Sequence, residues 1–359
     1  MLPLHLPINP VSFGQVSTCI IRELASRSQK FSFSNIGKID LSTQPDEAEL
    51  SPVLENLSKQ FIQEHSRQNP IFKLWHLVGS LESLSEKQFL LSFYELDSPT
   101  KLELNIVKNN HQVYFSSQET VDLFKNFGCN NVQFLPLGFD KWNFRNIDKK
   151  YFEDDRITFN ITGKLEHRKH HAKSIRAWIK RFGNNARYSL QCAIYNPFFK
   201  PEDNNALIKN ILGEKKPFNV SFLGFMQKNV LYNDFLNSGD IVVAMSGGEG
   251  WGLPEFQSVC LGKHAVVLHS SGYKGWANEQ NSCLVYPSGK ISSVDNIFFK
   301  QGEPINQGNI YDFNEDEFIA ACEKAIERTE SNRVNEIGKS LKEEFSYAKV
   351  VDKILMDVR

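Results

Sequence analysis

A glycine-rich segment with one carboxylate is the most informative stretch for chemistry. Residues 246–258 read SGGEGWGLPEFQS and follow a continuous apolar run. Pro254 is typical of a first helical turn and Gly262 of a helix end, which predicts a helix over about 254–261. Glycines let a backbone approach a ligand, and a helix N-terminus favours phosphate. Glu249 would repel a bare phosphate, so it indicates a phosphate attached to a sugar. The alternative is a tight strand–helix turn without a ligand.

A second candidate anion site lies in residues 162–171, TGKLEHRKHH. Lys164, Arg168 and Lys169 come at or near a predicted helix N-terminus, where cations are unfavourable unless an anion is bound. The alternative is a solvated basic turn. Two anion-suited strand ends in one half of the chain favour a diphosphate. The three histidines of this segment lack an evident carboxylate or thiol partner, so we expect no metal site there.

Composition excludes several classes of protein. The 359 residues include 41 Lys and Arg against 42 Asp and Glu, a formal net charge of −1. This balance disfavours a strongly basic nucleic-acid binder and a disordered chain. Six scattered cysteines without a C-x-x-C pair predict buried, reduced thiols and a cytoplasmic location. We expect no signal peptide and no transmembrane segment, because no run of about 18 apolar residues occurs.

Strand-like runs alternate with amphipathic segments twice along the chain, which predicts two parallel sheets with crossover helices. The first series has strands at 31–35, 72–76, 89–93, 112–116 and 132–135, and helices at 15–27 and 117–127. The second has strands at 156–162, 188–194, 219–223, 240–245 and 264–268, and helices at 172–182 and 340–358. The polar segment 140–155 predicts a linker. We therefore expect an α/β fold with two domains, 1–150 and 151–339, that face each other across a ligand-binding cleft.

Several of these motifs together resemble a known family. Residues 163–169 (GKLEHRK), 222–225 (FLGF) and 249–254 (EGWGLP) occur in the order and spacing of the GT-B glycosyltransferases, in particular the group 1, family 4-like enzymes, which use nucleotide sugars and retain configuration. The segments 134–140 (FLPLGFD) and 265–268 (AVVL) extend the resemblance.

The resemblance is strong over about residues 112–290. Within the family, the chain is most similar to enzymes of marine phages and bacteria, which share residues 95–97 (ELD) and the pair Arg168 and Lys169. The resemblance implies two Rossmann-like domains. The first would bind the acceptor substrate, and the second would bind the donor. It also implies that the C-terminal helix, within 340–359, returns to the first domain.

The resemblance implies a role for each candidate site residue. Glu249 would contact the hydroxyls of the donor sugar, and His76, at a strand end of the first domain, would be a second catalytic residue beside it. A core or rim histidine is the alternative for His76. The donor diphosphate would be neutralised by two cations, Lys164 and Lys169, and would lie against the amides of Gly250, Trp251, Gly252 and Leu253. Ribose and base would contact Gln257, Gly224 and Phe225, and the loop that closes over the donor would include Phe13 and Gly14.

One position departs from the family pattern. Gln257 stands where the family has a second glutamate, which accepts hydrogen bonds from both ribose hydroxyls. A charged acceptor contributes roughly 1.5–3 kcal/mol per bond, against about 1 kcal/mol for a neutral one, so we expect weaker or different binding at the ribose. No Asp-x-Asp pair stands at a strand end, so we expect a metal-independent reaction without a cofactor.

The sequence thus predicts transfer of a sugar from a nucleoside diphosphate donor, a UDP-sugar in preference to a GDP-sugar. The acceptor is open: a glycan, a lipid, a protein or modified DNA. Three alternatives stay open beside this prediction. They are a sugar-nucleotide epimerase of the same fold, a phage-type glycosyltransferase acting on hydroxymethylated DNA bases, and a degenerate GT-B module that binds without turnover.

Overall fold

The computed structural model describes residues 1–152, 154–213 and 216–358. Residue 153, in the predicted linker, and residue 359, in the predicted C-terminal helix segment, lie outside the described residues, as do 214 and 215. The described chain forms two six-stranded sheets and one two-stranded sheet. None of its helices is long and apolar enough to cross a membrane.

The first sheet and its helices form the first domain. Its parallel strands are β1 (Leu2–Pro7), β2 (Phe31–Ile36), β3 (Ile71–Leu74), β4 (Gln88–Ser92), β5 (Gln112–Phe115) and β6 (Val132–Phe134). They lie in the order β2-β1-β3-β4-β5-β6. The connecting helices are α1 (Ser12–Ser26), α2 (Glu47–Glu64), α3 (Lys101–Asn109) and α4 (Gln118–Asn126). The strand order reverses between β1 and β3, which opens a crevice at their carboxyl ends.

The second sheet and its helices form the second domain. Its parallel strands are β7 (Ile157–Thr162), β8 (Tyr188–Ala193), β9 (Val220–Phe222), β10 (Ile241–Ala244), β11 (His264–Leu268) and β12 (Cys283–Val285). Its helices are α5 (His171–Phe182), α6 (Pro201–Leu212), α7 (Asn229–Ser238), α8 (Leu253–Cys260) and α9 (Glu315–Ser331). The order β12-β11-β10-β7-β8-β9 is that of doubly wound nucleotide-binding sheets, and it reverses between β7 and β10. The two segments predicted to bind anions therefore follow neighbouring strands.

A hairpin of the second domain crosses to the first domain. It consists of β13 (Pro287–Ser292) and β14 (Asn309–Phe313), which are antiparallel. Ile310 and Phe299 are buried in the first domain's apolar cluster, together with Leu90 and Phe115. The sequence analysis did not predict this connection between the domains, because it depends on contacts between residues some 200 positions apart.

The prediction of one C-terminal helix over 340–358 is wrong, since the chain forms two helices there. They are α10 (Glu336–Glu344) and α11 (Tyr347–Asp357). Ser346 separates them: its hydroxyl accepts the amide of Lys349 and caps a new helix. Helix α10 packs on α8, whereas α11 packs on α1, where Arg27 donates to the carbonyl of Ala348 over 2.8 Å. The domain boundaries at 150 and 339 stay predictions.

Three elements of the first domain were missed, and one began earlier than expected. Strand β1 was not predicted because it contains two prolines, although its three leucines alternate along the strand and are all buried. Helices α2 and α3 were also missed. Helix α1 begins at Ser12 rather than at Gln15, so Phe13 and Gly14 are helical rather than part of a loop.

Candidate active site

The carboxyl ends of β7 and β10 face the first domain across a cavity of about 220 Å³. Val11 and Ser12 of the first domain form one wall. Lys164, after β7, and Leu253, at the start of α8, belong to the opposite wall. Pockets at a strand-order reversal between two α/β domains are the usual ligand sites of this architecture.

Four consecutive backbone amides at the start of α8 have no hydrogen-bond acceptor among the described residues. They belong to Gly250, Trp251, Gly252 and Leu253, of which the first three are buried. Buried amides are nearly always paired, so this run is an exception. Because Leu253 lines the cavity, an anion there could accept hydrogen bonds from the helix N-terminus.

The glycines of the preceding loop, residues 246–252, make room for protein. A Cβ atom at Gly247 would lie 2.3 Å from the carbonyl oxygen of Tyr311, and one at Gly248 would lie 2.3 Å from that of Glu95. A Cβ atom at Gly250 would lie 2.9 Å from Cβ of Phe93. The side-chain directions of this glycine-rich loop are thus filled by packing against the first domain and the hairpin. These three glycines therefore make room for protein atoms, whereas the sequence analysis interpreted the glycines as room for a ligand.

Lys164 and Lys169 lie at different depths. Lys164 lines the cavity, keeps about a third of its side chain exposed and pairs with Glu166 over 2.6 Å. Lys169 is buried, with its Nζ 2.6 Å from Glu249 and 3.6 Å from Glu255. Lys164 can therefore contact a diphosphate in the cavity directly, whereas Lys169 does not line the cavity and its role at the diphosphate stays a prediction.

The sequence analysis named Arg168 as one of three cations of a candidate anion site and assigned it no contact with the donor. Its NH1 donates to the Glu249 carboxylate and to the carbonyl of Gly248, both over 2.7 Å. Its Nε lies 3.1 Å from Glu166, and its NH2 lies 3.0 Å from Glu95 of the first domain. The only signal in the sequence was the pair of cations at 168–169.

Glu249 is ionised and held by cations. Burial would raise its pKa, but Lys169 and Arg168 outweigh that effect and lower the pKa to about 2. Its side chain is 9% exposed and is not part of the cavity lining formed by the described residues. A role beside the donor sugar, which stays a prediction, would need the cavity to extend past the start of α8.

The residues predicted at ribose and base line the cavity. They are Gln257, Gly224 and Phe225, and Phe225 is 44% exposed. Oε1 of Gln257 accepts the backbone amide of Asp140 over 3.2 Å. The orientation of the Gln257 amide is thus set by a donor from the interdomain segment, and its nitrogen makes no hydrogen bond with the described residues. Their roles in binding stay predictions.

His76 follows β3, and its ring centroid lies 4.4 Å from that of Phe13. His76 is exposed, yet desolvation of the imidazole, followed by the charge of Lys164, lowers its pKa. His76 is therefore neutral at pH 7 and near the second domain. Phe13 of α1 packs against it, and Gly14 packs against the backbone of Asn9. Neither Phe13 nor Gly14 lines the cavity, whereas Val11 and Ser12 do.

No group of three or more His, Cys, Asp or Glu residues in 1–152, 154–213 and 216–358 is arranged to hold a metal ion. His171 of the histidine-rich segment is buried, and burial, followed by Lys169, lowers its pKa to about 3. Metal independence itself stays a prediction.

Comparison with known proteins gives a clear result for the fold. No family model and no curated protein matches this sequence. The chain is similar to sucrose-phosphate synthase from Thermosynechococcus elongatus, with a TM-score of 0.67 and 12% identity over 99% of this chain and 98% of that one. It is also similar to HepE of Anabaena, solved in complex with UDP-glucose, with a TM-score of 0.66 and 14% identity over 99% and 98% of the two chains.

A third solved structure, the apo form of the lipopolysaccharide outer core galactosyltransferase WaaB, has a TM-score of 0.60 and 14% identity over 99% of both chains. These matches over nearly the whole chain confirm the predicted GT-B fold, two Rossmann-like domains that face each other across a cleft. At such low identity they concern the fold alone. The assignment to the enzymes of marine phages and bacteria stays a prediction.

Proposed function

We propose that this protein is a glycosyltransferase that takes a sugar from a nucleoside diphosphate donor. The observation that carries the proposal is the run of amides from Gly250 to Leu253, at the start of α8, for which the described residues offer no acceptor. The last of these residues, Leu253, and Lys164, whose side chain is about one-third exposed, line one cavity between the two domains. An anionic group attached to a larger organic molecule satisfies both features.

A UDP-sugar is our proposed donor. HepE, whose fold is similar over nearly its whole length, is described as a complex with UDP-glucose, with UDP, and with UDP and glucose. In this chain the exposed ring of Phe225 lies on the cavity wall, with its centroid 6.3 Å from that of Tyr195. A planar base can pack against such a surface.

The proposed reaction is metal-independent and retains configuration. As the bond from the sugar to the diphosphate breaks, negative charge develops on the leaving phosphate. The amides at the start of α8 and the ammonium group of Lys164 stabilise that charge, because they are in place before the charge develops. Glu249 would orient the sugar hydroxyls, and His76, neutral at pH 7, would accept a hydrogen bond beside the sugar.

A binding module without turnover is the second candidate. Two observations favour it: Gln257 replaces an acidic residue, and Arg168 and Lys169 are already paired with carboxylates. Such a module would bind the donor and leave it intact. If the protein is an enzyme, its acceptor could be a glycan, a lipid, a protein or modified DNA. A binding module would have no acceptor.

A thermal-shift panel of UDP, GDP, ADP and their sugars, with uridine as control, tests the donor. A ligand at 100 times its dissociation constant adds about 2.7 kcal/mol of stability, which shifts the midpoint by several degrees. We expect the largest shift with a UDP-sugar and little with uridine. Hydrolysis of that donor by the purified protein then separates an enzyme from a binding module. We expect EDTA to leave hydrolysis unchanged, and a strict requirement for a divalent ion would overturn the metal-free reaction.

A further inference from the structure

The segment 95–97 stood out in the sequence without a function, and both of its acids cross the domain interface. Glu95 pairs with NH2 of Arg168 over 3.0 Å. Asp97 pairs with Lys290 over 2.9 Å and accepts the amide of Asn309 over 2.7 Å. Asp97 therefore contacts the hairpin, whereas Glu95 contacts the residue that holds the glycine-rich loop.

Arg168 is already paired with groups of both domains and is not free to bind an anion. Its guanidinium is buried and is held by three carboxylates from three separate segments, Glu95, Glu166 and Glu249, and by the carbonyl of Gly248. Of these partners, Glu95 alone belongs to the first domain. The same residue touches the loop a second time, since its carbonyl oxygen occupies the space that a Cβ atom at Gly248 would need.

The charges around Arg168 do not favour an incoming anion. The connected charge cluster contains three cations, Lys164, Arg168 and Lys169, and four carboxylates, Glu95, Glu166, Glu249 and Glu255. If all are ionised, the cluster carries one negative charge in excess. A diphosphate adds more negative charge nearby, so a loss of charge at one of these carboxylates favours its binding.

We propose that Glu95 is a positioning residue of the donor site, which holds Arg168, and through it the glycine-rich loop, in place only while the two domains are closed. This inference rests on the proposed function. When the domains separate, Arg168 loses one of its partners and Gly248 loses the backbone against which it packs. The loop amides at the start of α8 are then no longer held against the cavity. Closure therefore completes the donor site through the Glu95–Arg168 ion pair, beside the contacts that Phe93 and Ser116 of the first domain make with Gly250.

Replacing Glu95 should have opposite effects on donor binding and on the reaction step: loss of its charge favours binding, whereas loss of its hold on Arg168 slows the reaction. Burial raises the pKa of Glu95 to about 7, so its negative charge is fully present only above that pH. Replacement by glutamine keeps the size and removes this charge at every pH, which favours binding of the diphosphate. The neutral amide also holds Arg168 less firmly, so the loop is less well placed in the reaction step, and a small misplacement can cost up to about 100-fold in rate. A merely structural role would instead weaken binding and turnover together.

The experiment measures Kd for UDP-glucose by calorimetry and kcat for donor turnover in Glu95→Gln, Glu95→Asp and the matched control Asp97→Asn. We expect Glu95→Gln to lower kcat at least tenfold while the Kd is unchanged or several-fold smaller. Glu95→Asp, which keeps the charge, should retain the original Kd and recover part of kcat. Asp97→Asn removes an interdomain charge pair without touching Arg168, so its kcat should stay within about twofold of the parent.

Equal kcat for Glu95→Gln and the parent protein would overturn the inference. A weaker Kd in both Glu95→Gln and Asp97→Asn, together with lower melting temperatures, would also overturn it, because both pairs would then only hold the domains together. If the unmodified protein binds no nucleotide sugar, the proposed function fails instead, and that result is visible before any variant is made.

Discussion

The backbone amide of Asp140 donates a hydrogen bond to Oε1 of Gln257 over 3.2 Å, and both residues line the interdomain cavity. An N–H donor can only meet the amide oxygen, so this bond decides which end of the Gln257 side chain is left for a ligand. The free end is the NH₂ group, a donor. A glutamate at this position would keep the bond to Asp140 with one oxygen and offer the other to the ligand as an acceptor.

The first prediction follows from that relationship. Gln257→Glu should tighten binding of the nucleotide-sugar donor by about 1 kcal/mol or less, because a charged acceptor for ribose hydroxyls is partly offset by the cost of desolvating a carboxylate near a diphosphate. Calorimetry with UDP and with an analogue that lacks the ribose hydroxyls measures the effect. The gain should be absent with the analogue. Loss of all binding would show that the ribose does not lie at this position.

The second prediction concerns the ion pairs of Glu249. Glu249→Gln should abolish donor turnover and destabilise the fold by about 3–5 kcal/mol, because Lys169 and part of Arg168 lose a buried partner. Glu323→Gln removes an exposed partner of Arg181 and should cost at most about 1 kcal/mol. Denaturant unfolding measures both. The buried pairs with Arg168 and Lys169 thus give Glu249 a structural role beside the proposed catalytic one.

The destabilisation caused by Glu249→Gln should depend on pH, and the pKa of Glu249 gives the direction of that dependence. The pKa of Glu249 is about 2 in the folded protein against a usual 4.5, so its stabilising contribution is present above pH 4.5. It is lost as the pH falls from 4.5 towards 2. The gap in unfolding free energy between the parent and Glu249→Gln should therefore narrow over that range. A gap that is constant with pH would contradict the assignment of a stabilising carboxylate.

The third prediction separates the two lysines. Lys164→Ala should weaken binding of UDP by roughly 1.5–3 kcal/mol and leave uridine binding unchanged, because a charge-assisted contact with the diphosphate is lost. Lys169→Ala should lose UDP binding as well, but it also leaves Glu249 and Glu255 without a buried cation and should lower the melting temperature. Arg187→Ala, a largely exposed control, should change neither property. Equal losses for UDP and uridine would mean that Lys164 only shapes the turn.

The fourth prediction links His76 to Lys164. Desolvation, followed by the charge of Lys164, holds the pKa of His76 below 6.5, so activity that needs the neutral imidazole should decline only below that pH. His76→Ala should lower kcat by about 100-fold or more. In Lys164→Ala the acidic limb of the pH–rate profile should move to higher pH, because a nearby positive charge is removed. A limb that does not move would show that another group titrates there.

Local signals predicted much of the second domain and its binding segments. The strand β10 is a continuous apolar run that ends at glycines and is followed by Pro254, and the helix predicted at 254–261 is found at Leu253–Cys260. The first domain was predicted less well. Strand β1 contains two prolines, and helix α2 contains Pro52, so propensities obscured elements that tertiary burial stabilises.

The sequence by itself determined the class of fold, the two anion-suited strand ends and the chemistry expected there, since alternating apolar periodicity and glycine-rich turns are local properties. Only the tertiary structure decided how the charged groups are used. Arg168 forms an ion pair across the domain interface, and the glycines of the loop contact Glu95 and Phe93 of the first domain. The physical reason is that these roles depend on which atoms come within about 3 Å of a side chain or a glycine, and the partners in the other segments lie about 70 to 160 residues away along the chain.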